Sequence, residues 1–168
     1  MHKSYTTTTG GHKARKRFGQ NFLIDTKIID RIVATIAPKA GDDLLEIGPG
    51  QGAMTLPLLE KLNQLHVIEI DRDLINLLES FDKDNLIIHQ GDAMKFDLST
   101  LPTPIRVVGN LPYNISSPIL FHLLENRSLV EDMTFMLQKE VVERMVAKHG
   151  NKTYGRLSVM MQAFLRWN

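Results

Sequence analysis

Leu44-Leu45-Glu46-Ile47-Gly48-Pro49-Gly50-Gln51-Gly52 begins as a short apolar strand and runs directly into a glycine-rich turn. Residues 53–62 then carry a helical signal, with Pro57 tolerable only near the first turn. Strand, glycine loop and helix in that order open a βαβ unit, and the same alternation spreads outward in both directions. Upstream, Asp25 can cap a helix bearing Ile28, Ile29, Ile32, Val33 and Ile36, which Pro38 and Gly41 end. Downstream, strands are expected at residues 65–70, 86–89, 105–109 and 133–137. Helices are expected at 71–80, 117–125, 138–148 and from 156 to about 164. The pattern predicts an α/β fold: a mostly parallel, Rossmann-like sheet with helices on both faces. One domain over residues 25–168 follows an N-terminal arm of residues 1–24.

The glycine loop has two possible ligands. Gly48-x-Gly50-x-x-Ala53 fits the spacing of a dinucleotide fingerprint. Against that, Glu46 puts a carboxylate where a pyrophosphate would lie, and Pro49 removes a backbone N–H that a phosphate cradle would use. A cationic ligand with no phosphate suits Glu46, Gly48, Gly50 and Gly52 better, by Coulomb attraction. S-adenosylmethionine, with its ammonium and sulfonium, is such a ligand. Glycines here let the chain turn tightly and let a ligand approach the backbone.

Two more acids end the next two strands. In Glu69-Ile70-Asp71, either carboxylate could accept from ribose hydroxyls, since strand alternation puts both on one side. Glu69 is preferred, because Asp71 suits the cap of the following helix. Asp92, in Gly91-Asp92, can accept from an adenine amino group or can be a plain turn residue. Acids at three successive strand ends beside a glycine loop are far more specific than any one alone.

Asn110-Leu111-Pro112-Tyr113 follows the strand Ile105-Arg106-Val107-Val108-Gly109. An amide, a proline-stiffened turn and an aromatic at a strand end describe a pocket for a planar ring with an exocyclic amine. The Asn110 side-chain oxygen and the Leu111 carbonyl would accept from that amine, and Tyr113 would stack on the ring. Alone, the tetrapeptide equally fits an ordinary turn with a core tyrosine. The upstream methyl-donor site decides between them.

Composition narrows the function further. There is no cysteine, which excludes disulfides and zinc–thiolate sites. No apolar run reaches the roughly 18 residues of a membrane span, and a cytoplasmic location is expected. Net charge is +1 but unevenly spread: residues 1–24 carry +5, and the remainder carries −4. Lys13, Arg15, Lys16 and Arg17 run into Phe18-Gly19-Gln20-Asn21-Phe22-Leu23, an arrangement suited to nucleic-acid phosphates. His66, His89 and His122 sit where histidines are structural rather than catalytic.

With these positions assembled, the chain resembles the 16S rRNA adenine dimethyltransferases, a group of class I methyltransferases. The matching stretches are Arg15–Leu23, Glu46–Gly50, Glu69–Asp73, Gly91–Ala93, Gly109–Ser116, Leu137–Val141 and Tyr154–Ser158, in the family's order. The resemblance implies that Asn21 and Leu23 help bind S-adenosylmethionine, with Gly48 at its methionine end, Glu69 on the ribose and Asp92 at the adenine. It places Asn110 at both cofactor and target. It implies dimethylation of two adjacent adenosines near the 3′ end of small-subunit rRNA, in an assembling subunit. A monomer is expected. It also implies two further strands and a small helical domain beyond residue 168. Rival readings are a 23S rRNA adenine dimethylase of the antibiotic-resistance type, a DNA adenine methyltransferase, and a ribosome-assembly binding factor.

Overall fold

The computed structural model of the chain describes residues 25–164. Five parallel strands form one sheet in the order β3-β2-β1-β4-β5. They are β1 (Leu44–Ile47), β2 (Leu65–Glu69), β3 (Leu86–Gln90), β4 (Ile105–Asn110) and β5 (Val130–Met136). The helices are α1 (Thr26–Ile36), α2 (Thr55–Leu59), α3 (Arg72–Glu79), α4 (Tyr113–Glu125), α5 (Lys139–Met145) and α6 (Arg156–Phe164). Among the described residues every strand pair is parallel, so the expected α/β sandwich is present.

Strand alternation divides the core in two. Leu44, Leu65, Val67 and Val108 face one side, where they pack with Ile29, Val33 and Ile36 of α1, Leu58 of α2 and Leu78 of α3. Leu45, Ile47, Ile68, Ile105 and Val107 face the other, against Ile119 and Leu123 of α4. A third cluster joins Leu120 and Leu124 of α4 to Val141 and Met145 of α5 and to Leu157 and Met161 of α6. Strands buried on both faces explain their near-continuous apolar sequence.

The helix starts follow local chemistry. Asp25 accepts from the Lys27 and Ile28 amides and caps α1. Asp71 accepts from the Asp73 amide and caps α3. Helix α2 is only five residues long, shorter than its sequence pattern, because the chain is still turning through Gly52 and Ala53. Helix α4 starts at Tyr113, four residues before the expected position. Pro112, with φ −65°, sets its entry, and the buried faces of Ile119, Leu120 and Leu123 hold the helix through Pro118. Strand β5 starts at Val130 rather than 133, because Val130 already pairs with Ile105; the register then shifts before the Val107–Met133 pair, and the exposed Glu131 and Asp132 fall at that irregularity.

Arg106 ties the far end of the sheet together. Its guanidinium contacts Asp42 at 2.6 Å, Asp132 at 3.0 Å and the Ile36 carbonyl at 2.7 Å, which joins α1, the approach to β1, and β5. His66 and His89 lie on neighbouring strands with Nδ1 and Nε2 3.0 Å apart and rings stacked at 5.3 Å. His122 Nε2 lies 3.0 Å from the Phe96 carbonyl. None of the three lines the cavity described below, in keeping with a structural role. No described helix is long and apolar enough to cross a membrane.

Candidate active site

Strand order reverses between β1 and β4, and beyond their C-terminal ends a cavity of about 750 Å³ opens. This is the crevice in which open α/β sheets hold ligands. Among the described residues it gathers residues from the ends of all five strands.

Glu46 lines the cavity although it is 1% exposed. Its Oε2 accepts a 2.7 Å hydrogen bond from the Thr55 hydroxyl. Burial pushes its carboxyl up to about 7; the Thr55 bond opposes this and the nearby Glu69 charge adds to it. Gly48 and Gly50 follow with φ of +66° and +58°. A Cβ on Gly48 would meet nothing within 4 Å, so the space before its backbone is open to a ligand.

Glu69 ends β2 and also lines the cavity. Its Oε1 accepts from the Ile70 amide at 2.8 Å and the Asp71 amide at 2.9 Å, and the Gly50 N–H joins the same set. Burial raises its pKa, against the pull of those three donors. The carboxylate is thus held rigidly and couples β2 to the glycine loop. Asp71 does not line the cavity and serves as the α3 cap, so of the two acids only Glu69 faces the cavity.

Asp92 sits in the turn after β3, where its Oδ1 accepts from the Met94 amide at 3.0 Å. Ile70, 48% exposed, and Met94, 37% exposed, line the same cavity. Two exposed apolar side chains beside an acceptor make a slot for a flat heterocycle with a polar edge.

Asn110 is the last residue of β4, paired with Met136 of β5. The Leu111 amide donates to the Met136 carbonyl at 3.1 Å, and its side chain is buried. The Ser116 hydroxyl donates to the Pro112 carbonyl at 2.8 Å and reaches the Leu111 carbonyl only at 3.4 Å. Asn110, Leu111 and Pro112 line the cavity.

Two expected site residues stand elsewhere. Gly52, at φ +82°, does not line the cavity; an added Cβ there would lie 2.4 Å from the Phe81 ring. There the loop backbone packs closely on Phe81, just past α3, and on Leu78 within it. Tyr113 does not line the cavity either: its ring is 47% exposed and its hydroxyl donates to Glu140 at 3.3 Å. It stands at the rim because α4 begins at that residue. Asn21, Leu23, Lys13, Arg15, Lys16 and Arg17 lie outside the described residues.

Sequence reasoning missed Thr55, the partner of Glu46, although a small hydroxyl one turn past a glycine loop could have suggested it. It also missed Phe135, Gln138 and Val142, which close the cavity from β5 and α5. Their placement depends on which strand neighbours β4. Among the described residues no group of three or more His, Cys, Asp or Glu side chains could hold a metal ion.

A family model described as ribosomal RNA adenine dimethylase matches residues 11–168. The ribosomal RNA small subunit methyltransferase A of Aromatoleum aromaticum is 64% identical over 152 residues, covering 90% of this chain and 57% of that protein. A dimethyladenosine transferase from Plasmodium falciparum superposes with a TM-score of 0.74 at 34% identity, covering 84% of this chain and 52% of its own. The 23S rRNA methyltransferase ErmE superposes at 0.71 with 32% identity, over 84% of this chain and 57% of its own. The chain spans little more than half the length of these relatives. With the match covering nearly the whole sequence, the chain belongs to the ribosomal RNA adenine dimethylase family.

Proposed function

We propose that the protein transfers methyl groups from S-adenosylmethionine to the N6 atoms of two adjacent adenosines near the 3′ end of small-subunit rRNA. The observation that carries this reading is the convergence of Glu46, Glu69, Asp92 and Asn110 on one cavity at the β1/β4 reversal. The donor set suits a cationic nucleoside and not a pyrophosphate. Two carboxylates line the glycine loop, Pro49 offers no N–H, and the Gly50 N–H already points at Glu69. The 64% identity to a protein named for the small subunit, against 32% to one named for 23S rRNA, favours the small-subunit target.

When bound, the cofactor supplies an electrophilic methyl group on a sulfonium. Glu46 and the Gly48 backbone hold its cationic amino-acid end. Glu69, fixed by its three backbone donors, accepts from the ribose hydroxyls. Asp92 accepts from the adenine amine between Ile70 and Met94. On the target side, the Asn110 side-chain oxygen and the Leu111 carbonyl accept the two N6 hydrogens. That draws the lone pair out of ring conjugation and aims it at the methyl carbon. The Leu111 carbonyl has capacity for this, because the Ser116 hydroxyl bonds chiefly to the Pro112 carbonyl. Tyr113 at the rim stacks on the incoming base, a contact worth about 1–3 kcal/mol. The remaining catalysis is in-line placement at about 3–3.5 Å. The methylated nitrogen is strongly acidic and loses its proton to water, so no general base is needed.

The test is transfer of labelled methyl groups to immature small subunits, large-subunit precursors and adenine-containing DNA. Label in dimethyladenosine of the small-subunit rRNA is the expected result. Label confined to the large subunit would move the assignment to the 23S-type activity.

A further inference from the structure

Charge is unevenly spread along the described chain. Residues 25–138 carry 9 Lys or Arg and 17 Asp or Glu, a net −8. Residues 139–156 carry 5 and 2, a net +3, in a segment of only 18 residues that contains α5 and the turn before α6. A compact basic segment of this kind attracts a polyanion.

The basic segment adjoins the cavity. Gln138 and Val142, on either side of Lys139, line the wall. The Tyr113 hydroxyl at the cavity rim bonds to Glu140 on the first turn of α5. From there α5 leads into a loop that presents Lys148 and Lys152 to solvent, and Arg156 is exposed just beyond.

That loop is built to hold a shape. Asn151 Oδ1 accepts from both the amide and the hydroxyl of Thr153 at 3.1 Å, and the Tyr154 amide returns to the Asn151 carbonyl at 3.0 Å. The His149 ring packs edge-on against Tyr154 at 5.7 Å. Below it, Gln162 donates to the Met145 and Ala147 carbonyls, and the Ser158 hydroxyl donates to the Arg144 carbonyl. The Arg156 guanidinium lies over the Phe121 ring, 4.8 Å from its centroid. Stacking fixes the guanidinium plane and leaves its edge donors available for a phosphate.

We propose that Lys148, Lys152 and Arg156 form a phosphate-contact surface that tracks the RNA backbone flanking the base held in the cavity. These three residues lie far along the sequence from Lys13, Arg15, Lys16 and Arg17. It rests on the RNA-directed reading above and adds to it a fixed exit path for the strand.

The test is the salt dependence of binding to a labelled RNA hairpin carrying the two adjacent adenosines. The variant Lys148→Gln/Lys152→Gln/Arg156→Gln is expected to lower the slope of log K against log salt by about 2–3, at about 0.7–0.9 per lost contact. Its affinity for S-adenosylmethionine is expected to stay that of the parent. The pair Lys148→Gln/Lys152→Gln keeps the Arg156–Phe121 stack and is expected to give about two-thirds of the change, which guards against misfolding of the triple variant. The control Lys61→Gln/Lys83→Gln, in the acidic region, should leave the slope unaltered. An unchanged slope in both test variants, or an equal drop in the control, overturns the proposal. If the parent protein binds the hairpin but transfers no methyl to rRNA while the test slopes still fall, the functional reading fails and the surface stands.

Discussion

The Thr55 hydroxyl and the Glu46 carboxylate form a 2.7 Å hydrogen bond sealed from solvent, with Thr55 0% and Glu46 1% exposed. One charged side chain is thus held ready beneath the glycine loop, and burial alone would keep it neutral. The hydrogen bond and the approach of a cation work against that burial, so ligand binding and ionisation at Glu46 are linked.

The linkage has a sign. The folded-state pKa of Glu46 is raised from 4.5 to about 7, so its contribution to stability is fully present below pH 4.5 and is lost as pH rises through 7. Glu46→Gln is therefore expected to make the ligand-free protein more stable at pH 8, by up to about 3 kcal/mol. It should also flatten the stability profile between pH 4.5 and 7. Denaturant titrations across that range check both; a profile parallel to the parent's would detach the pH dependence from Glu46. In the parent, affinity for S-adenosylmethionine should rise with pH up to about 7, and that rise should vanish in the variant.

Asn110 and Glu69 should separate chemistry from binding. Asn110→Ala is expected to reduce methyl transfer by at least about 100-fold, comparable to loss of a preorganised transition-state contact. Calorimetry should find its cofactor affinity largely retained. Turnover near the parent level would remove the Asn110 amide from the mechanism.

Glu69→Ala is expected to do the reverse and act mainly on cofactor affinity. A bond to a charged acceptor is worth about 1.5–3 kcal/mol, which corresponds to a roughly 10–100-fold weaker dissociation constant. The Ile70 and Asp71 amides lose their acceptor too, so a modest loss of stability should accompany it. Unaltered affinity would contradict the ribose assignment.

Gly52→Ala tests the loop rather than the ligand. The new methyl meets Phe81 at 2.4 Å and the backbone at φ +82° disfavours any side chain. A loss of about 2 kcal/mol or more is expected from strain and overpacking. The matching substitution Phe81→Leu, which opens that space, should recover part of it in a double-mutant cycle. Independent effects of the two changes would mean that they do not share this contact.

The legible parts of the chain are those where local chemistry and burial agree. The strands at Leu44–Ile47 and Ile105–Asn110 are apolar because both faces are covered, and Asp25 and Asp71 cap the helices they precede. The early start of α4 was hidden because Pro118 and two serines argue locally against a helix, and packing on β4 and α6 overrides them. That shift moved Tyr113 to the rim. Charge was legible in principle, yet averaging over the whole body concealed the +3 segment inside it.

By itself, the sequence determined the alternation of strands and helices, the acids at three strand ends and the family to which they belong. These are properties of residues close together in the chain. The tertiary structure alone decided that β4 lies beside β1 and β5 beside β4, because order in a parallel sheet is set by how crossover helices pack and not by local propensity. That order brought Asn110 to Glu46, turned Gly52 toward Phe81, left Tyr113 outside, and set Gln138 and Val142 against the cavity.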